Sequence, residues 1–82
     1  MCITRWALTP HAASRLLERR ISLEELTLIL QGPEEVIPQG PKYILTRTFP
    51  RRKDNKIAAV VMEKGEHGLW LVITIMVNFV AR

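Results

Sequence analysis

The first third of the chain has hydrophobic and polar positions that repeat with the period of an α-helix. Thr9 followed by Pro10 is a typical helix start, because threonine caps the first turn and a proline there forfeits no hydrogen bond. Apolar positions then recur three and four residues apart as far as Arg20. The pattern predicts a helix from Pro10 to about Arg20 with one packed side and one polar side.

A second helix is predicted directly after the first. The segment Ser22-Leu23-Glu24-Glu25 is a capping box, in which the serine side chain accepts from the Glu25 amide and the glutamate reaches back to the serine. The helix is expected to run to about Gln31, where Gly32 would adopt a left-handed conformation and end it. The two helices are predicted to form a hairpin.

After Pro33 the pattern changes to the alternation that is typical of β-strands. A brief strand is predicted at Val36 and Ile37, and longer strands at Lys42 to Phe49, Lys56 to Glu63 and Leu69 to Val77. Strict alternation along the last strand places Ile75 on the side of the sheet opposite Val72. At the start of the chain, residues 1–8 fit either a strand or an extended arm. The predicted fold class is α+β: one domain over residues 1–82, with a two-helix hairpin packed on a mainly antiparallel sheet of three to four strands.

Composition limits the classes of protein to which the chain can belong. Its 82 residues are 48% hydrophobic and 24% charged, which excludes collagen-like, coiled-coil and disordered chains. The lone Cys2 excludes an internal disulfide and favours an intracellular, cytoplasmic location. The apolar run from Leu69 to Val77 is shorter than the roughly 20 residues of a membrane helix, so no membrane association is expected. No nucleotide-binding loop or zinc-protease motif occurs, so neither a cofactor nor a metal is expected.

The positive charge is concentrated in two stretches of the chain. The net charge is +4, while the segment from Arg51 to Lys56 carries +3 and the segment from Arg15 to Arg20 carries +2. Clustered arginines are typical of proteins that bind phosphate groups, provided that the clusters meet in the fold. A solvated turn and a solvated helix face would produce the same pattern.

His11 and Arg15 are the first candidates for chemistry. His11 lies in the first predicted helical turn, where the helix dipole favours a neutral imidazole that can act as a base. Arg15 follows one turn later on the same side and could hold a phosphate, as metal-independent RNA cleavage requires. Alternatively, His11 hydrogen-bonds a neighbouring group that orders the loop, and Arg15 pairs with Glu18 or packs through its stem.

Arg47 is the next candidate because it shares a strand face with Tyr43, Leu45 and Phe49. If this face is the open side of the sheet, Tyr43 could stack on a base and Arg47 could hold a phosphate. If the face lies against the helices, Arg47 would pair with Glu18 or another carboxylate at the rim of the core.

The turn that carries Arg51, Arg52 and Lys53 is a candidate for contacts with a nucleic-acid backbone, together with Arg19 from the helix. Such contacts would provide affinity without sequence specificity. The same turn would also serve as a soluble hairpin tip that protects strand edges from pairing.

The stretch from Leu8 to Glu25 resembles the bacterial family called domain of unknown function 4258, through the pattern T-P-H-A-x-x-R-x-x-E-R-x-I-S. The family is regarded as similar to small ribonuclease toxins of the RelE and BrnT type. The resemblance implies an RNA-binding protein or metal-independent ribonuclease of toxin type, with His11 and Arg15 as catalytic residues and an antitoxin protein as partner. Arg47 lies outside the matched pattern and is added as a third catalytic candidate because of its position on the strand. The alternative is a non-catalytic protein-interaction module, such as a homodimer.

Overall fold

The computed structural model describes residues 2–65 and 68–80, which form an α+β fold with two helices and a five-stranded mixed sheet. The elements in chain order are β1 (Trp6–Leu8), α1 (Pro10–Glu18), α2 (Leu23–Gln31), β2 (Glu35–Gln39), β3 (Lys42–Thr48), β4 (Lys56–Glu63) and β5 (Trp70–Met76). Neither helix has the length and apolar character needed to cross a bilayer.

Both predicted helix starts are confirmed. The Thr9 hydroxyl accepts a hydrogen bond from the Ala12 amide at 3.1 Å, and both bonds of the capping box between Ser22 and Glu25 are present. The predicted left-handed conformation at Gly32 is wrong, since its φ is −139°. Of the two helices, it is α1 that is followed by a residue in the left-handed conformation, Arg20 with a φ of 53°.

The sheet has the strand order β1-β5-β4-β3-β2. Strands β2 to β5 pair antiparallel in sequence order, so the predicted meander is confirmed. Strand β1 adds a fifth, parallel strand, with Trp6 opposite Trp70 and Leu8 opposite Val72. The predicted three to four strands are therefore too few, because three residues are too short to show an alternating pattern.

Both helices contribute to one core against the same side of the sheet. Helix α1 contacts β5 and β1, whereas α2 contacts β3 and β4. The fully buried large side chains of this core are Ile3, Leu26, Ile29, Leu30, Leu45, Ile57, Val61 and Val72. A smaller apolar cluster of Ile44, Ala58 and Val60 lies apart from this core, and Phe79 from the chain end packs on it.

Strand β5 departs from regular alternation at Ile73. Val60 and Val61 pair with Thr74 and Val72, so Ile73 is an extra residue in the ladder. The Ile73 carbonyl accepts a hydrogen bond from the Thr9 hydroxyl at 2.9 Å, which joins the start of α1 to the bulge. Because of this bulge Ile75 joins the same core as Val72, and the predicted placement of these two residues on opposite sides is wrong.

Candidate nucleic-acid interface

Arg52, in the turn between β3 and β4, connects three parts of the fold through its guanidinium. Its Nε and Nη2 donate to the two carboxylate oxygens of Asp54 at 2.7 and 2.8 Å. Nη1 donates to the Glu25 carboxylate of α2 at 3.1 Å. The backbone carbonyls of Arg19 and Arg20 accept from Nη2 and Nη1 at 2.8 and 3.0 Å.

These contacts place a cation at the C-terminal end of α1, where the backbone carbonyls lack helical partners and the helix dipole is negative. The Arg52 side chain is 18% exposed. The hydrogen bonds to Arg52 and its charge hold the pKa of Asp54 below its usual value, and Asp54 in turn raises the pKa of Arg52. The charge pattern predicts phosphate contacts for Arg52, whereas its donors bind protein oxygens in the structure.

Four further cations surround this anchored arginine, and we refer to them as the cation ring: Arg19, Arg20, Arg51 and Lys53. All four are exposed, and none forms a salt bridge within residues 2–65 and 68–80. Three of them line a surface cleft of about 430 Å³ together with Arg52 and Asp54, which we call the basic cleft. The two basic stretches of the sequence therefore meet at one place in the fold.

His11 and Arg15 lie further along α1. His11 is exposed in the first helical turn, about 12 Å from Arg19 by the helical rise. Arg15 pairs with Glu18 at 3.3 Å, as the alternative interpretation expects, and the two side chains are 38% and 58% exposed. Arg15 and Arg19 also line a groove of about 350 Å³ beside β5. One side of α1 thus continues the basic cleft toward His11.

Arg47 and Tyr43 belong to the part of the sheet that faces the helices. Tyr43 packs against the main core and meets the ring of Trp70 edge-to-face, with the ring centroids 5.8 Å apart. Arg47 Nη1 donates to the Gly32 carbonyl at the end of α2 at 2.5 Å. A Cβ at position 32 would lie 3.3 Å from this nitrogen, a tight contact that the Arg47 side chain would have to relieve by a small shift.

The structure brings some of the predicted site residues together and separates others. Arg19 joins Arg52 and Lys53 in the lining of the basic cleft, and Arg15 lies one turn from Arg19. Arg51 lines an adjoining pocket that shares Arg52 with the cleft. Arg47 is tied to the end of α2, which packs over β3 and β4, whereas α1 packs over β5 and β1. Arg47 is therefore not part of the His11 and Arg15 side of the molecule.

Two acidic residues of the site were missed by the sequence analysis as partners of Arg52. Asp54 follows two positions after Arg52, and this short spacing within a turn is a local signal for a pair. Glu25 lies 27 positions away and gave no such signal. Among the described residues, no three His, Cys, Asp or Glu side chains are grouped so that they could hold a metal ion.

Comparison with known proteins gives one match. The family model described as Domain of unknown function (DUF4258) matches residues 8–77. No curated protein and no solved structure matches the chain, so the similarity to RelE and BrnT toxins stays a prediction. Because the family match spans most of the sequence, the chain belongs to the family of domain of unknown function 4258.

Proposed function

We propose that the protein binds single-stranded RNA through its phosphate backbone. The observation that carries this proposal is the cation ring, four exposed cations without ion-pair partners in the described part of the chain, gathered around the anchored Arg52. Two segments that are more than thirty positions apart contribute cations to this ring. A solvated hairpin tip alone would not need a second basic segment beside it. Phosphate groups are the ligands that such a group of cations attracts most strongly.

The roles of the cations in this proposal follow from their partners. Asp54 and Glu25 offset the charge of Arg52, so the positive potential of the basic cleft comes mainly from the cation ring. Arg52 contributes by fixing the positions of the α1 end and the β3–β4 turn. Contacts of the cation ring with phosphate oxygens would provide affinity without reading a base sequence.

RNA cleavage is a further step of the same proposal. His11, Arg15 and Arg19 follow one side of α1, so an RNA strand that leaves the basic cleft along this side would pass His11. His11 would accept the proton of a ribose 2′-hydroxyl as the 2′-oxygen bonds to the phosphorus and the bond from phosphorus to the 5′-oxygen breaks. The leaving 5′-oxygen would take a proton from water, which gives a 2′,3′-cyclic phosphate and a 5′-hydroxyl. Arg15 would exchange its exposed partner Glu18 for the phosphate. Arg47 has no part in this step, because its guanidinium is bound at the end of α2.

The binding proposal is tested by fluorescence anisotropy with a labelled RNA of about twelve nucleotides, over salt concentrations from about 50 to about 200 mM. The logarithm of the affinity should fall linearly with the logarithm of salt. The double variant Arg19→Ser/Lys53→Ser should make this slope shallower by about 1.4, the value for two lost phosphate contacts on a single strand. The variant Lys64→Ser removes an exposed charge beyond the other end of β4 and should leave the slope unchanged.

Absence of binding at low salt would contradict the proposal, as would an equal loss in Lys64→Ser. Cleavage is tested separately, by incubating end-labelled RNA with the protein in the presence of EDTA. His11→Ala should abolish cleavage and retain binding, because the exposed His11 lies outside the cation ring. Intact RNA with the unchanged protein, or equal cleavage by His11→Ala, would contradict the catalytic step.

A second candidate function is a protein-interaction module that forms a homodimer. The observation that favours it is an apolar groove of about 310 Å³ beside α1, where Leu17 is 82% exposed and Leu23 is 59% exposed. Light scattering coupled to size-exclusion chromatography should then show a dimer, and Leu17→Glu/Leu23→Glu should yield a monomer. A monomer before substitution would contradict this candidate.

A further inference from the structure

A second pocket adjoins the basic cleft at Arg52. Its volume is about 290 Å³, and its lining residues are Glu25, Phe49, Pro50, Arg51 and Arg52. Arg52 lines both the pocket and the basic cleft, so the two share this fixed side chain. The basic cleft is lined mainly by cations, whereas this pocket combines an aromatic ring, a proline and a carboxylate.

Phe49 provides a fixed aromatic surface in this pocket. Its side chain packs partly against the main core, and its backbone is held on both sides. The Phe49 amide donates to the Asn55 carbonyl at 2.8 Å, and the Phe49 carbonyl accepts from the Arg52 amide at 2.9 Å. The exposed guanidinium of Arg51 is the second flat group of the pocket. Aromatic rings and guanidinium planes are the groups on which unpaired bases stack in RNA-binding proteins.

Glu25 provides a hydrogen-bond acceptor beside these flat groups. Its Oε1 accepts from the Ser22 amide at 2.9 Å and from Arg52 Nη1 at 3.1 Å, so that oxygen has two donors. Its Oε2 accepts from Arg52 Nη1 at 3.3 Å and has no second donor among residues 2–65 and 68–80. One more donor can therefore bind to Oε2. Guanine presents two adjacent donors on its Watson–Crick edge, N1–H and N2–H, whereas the single N3–H donor of uracil lies between two carbonyl oxygens.

We propose that this pocket binds one unpaired base of an RNA strand, with guanine preferred over uracil. The inference rests on the proposed RNA-binding function, because the basic cleft would hold the phosphates that flank the base. Phe49 and Arg51 would stack on the base, and Glu25 Oε2 would accept a hydrogen bond from its Watson–Crick edge. The substrate class is then single-stranded RNA that contains guanine.

The test separates the base from the phosphates by using abasic RNA. Three labelled strands of about six nucleotides carry the same phosphates, and the central position is guanosine, uridine or an abasic ribose. The guanosine strand should bind at least about fivefold more tightly than the abasic strand, because stacking of a single base on an aromatic side chain increases affinity by about this factor or more. The uridine strand should bind with an affinity between the other two.

Two variants assign the effect to this pocket. Phe49→Leu keeps an apolar side chain against the core and should bring the guanosine-to-abasic affinity ratio close to one, while the abasic strand binds as before. Glu25→Gln keeps a carbonyl oxygen and should remove the preference for guanosine over uridine. Circular dichroism confirms that each variant is folded before its affinities are compared.

Equal affinities of the unchanged protein for the guanosine and abasic strands would overturn the base pocket and leave phosphate binding intact. An unchanged affinity ratio in folded Phe49→Leu would also overturn it. If none of the three strands binds even at low salt, the proposed RNA-binding function itself fails. The two failures are therefore distinguishable.

Discussion

Arg51 and Arg52 are neighbours in the sequence, yet the structure gives them opposite surroundings. Arg52 is directed inward, where it binds two carboxylates and two backbone carbonyls. Arg51 is directed outward with the rest of the cation ring, and none of these cations has an ion-pair partner in the described part of the chain. The difference shows that a run of basic residues can contain both a structural anchor and an exposed cation that forms no ion pair in the described part of the chain.

The same difference determines the energetic consequence of losing each cation. Without Arg52, the carboxylates of Asp54 and Glu25 and two carbonyls after α1 would lose their shared donor in a partly buried place. Arg51 is exposed and has no hydrogen-bond or ion-pair partner in the described part of the chain, and such surface substitutions seldom change stability by more than about 0.5 kcal/mol. Three predictions test this contrast.

The largest effect is expected for Arg52→Met, which keeps the apolar stem and removes the guanidinium. The free energy of unfolding should fall by about 2 to 3 kcal/mol, because two carboxylates and two carbonyls lose a charged donor. Urea denaturation measures this change, and Arg51→Met is the matched control, with a loss below about 0.5 kcal/mol. Equal losses in both variants would contradict the contrast between the anchor and the cation ring.

A smaller effect is expected in the pH dependence of stability. Arg52 lowers the pKa of Asp54 in the folded protein below its ordinary value of 3.8. The stabilisation is therefore fully present above that ordinary value, and it is lost as the pH falls through the lower folded pKa. Asp54→Asn removes this contribution, so the difference in unfolding free energy between the two proteins should shrink below about pH 4. A difference that stays constant through this range would show that Asp54 is not stabilised by Arg52.

The smallest change in stability, and one of opposite sign, is expected for Arg20→Gly. Arg20 has a left-handed backbone conformation, which glycine adopts without the steric cost that other residues incur. The free energy of unfolding should rise by about 0.5 kcal/mol, while the affinity for RNA falls because the cation ring loses one member. Urea denaturation and anisotropy measure the two quantities. A parallel fall in both would indicate that the Arg20 side chain stabilises the fold rather than a ligand.

The features that could be predicted from the sequence are those that depend on neighbouring residues. Thr9 and Ser22 form their predicted caps because each cap is closed by a residue three positions later. The pattern left residues 1–8 open between a strand and an extended arm, because strand β1 depends on pairing with β5, more than fifty positions away. The bulge at Ile73 was not predictable, because it depends on the register between β4 and β5. Periodicity describes single elements and contains no information on such pairings.

The candidate site follows the same rule. The charge pattern identified Arg19, Arg51 and Lys53. The fold places Arg19 and Lys53 in the basic cleft and Arg51 in the pocket that adjoins it at Arg52. The role of Arg52 as an anchor depends on Glu25, which comes from a different element and lies 27 positions away. The direction of Arg47 toward Gly32 likewise depends on how the end of α2 packs against β3.

The contrast between the anchor and the cation ring can be measured directly by NMR spectra of the arginine Nε–H groups during a titration with single-stranded RNA. Arg52 Nε–H, bound to Asp54 at 2.7 Å, should give a resolved signal in the free protein and should keep its chemical shift as RNA is added. The Nε–H signals of Arg19, Arg20 and Arg51 should shift together with RNA concentration. A shift of Arg52 alone, or no shift of the other three at saturating RNA, would contradict the account.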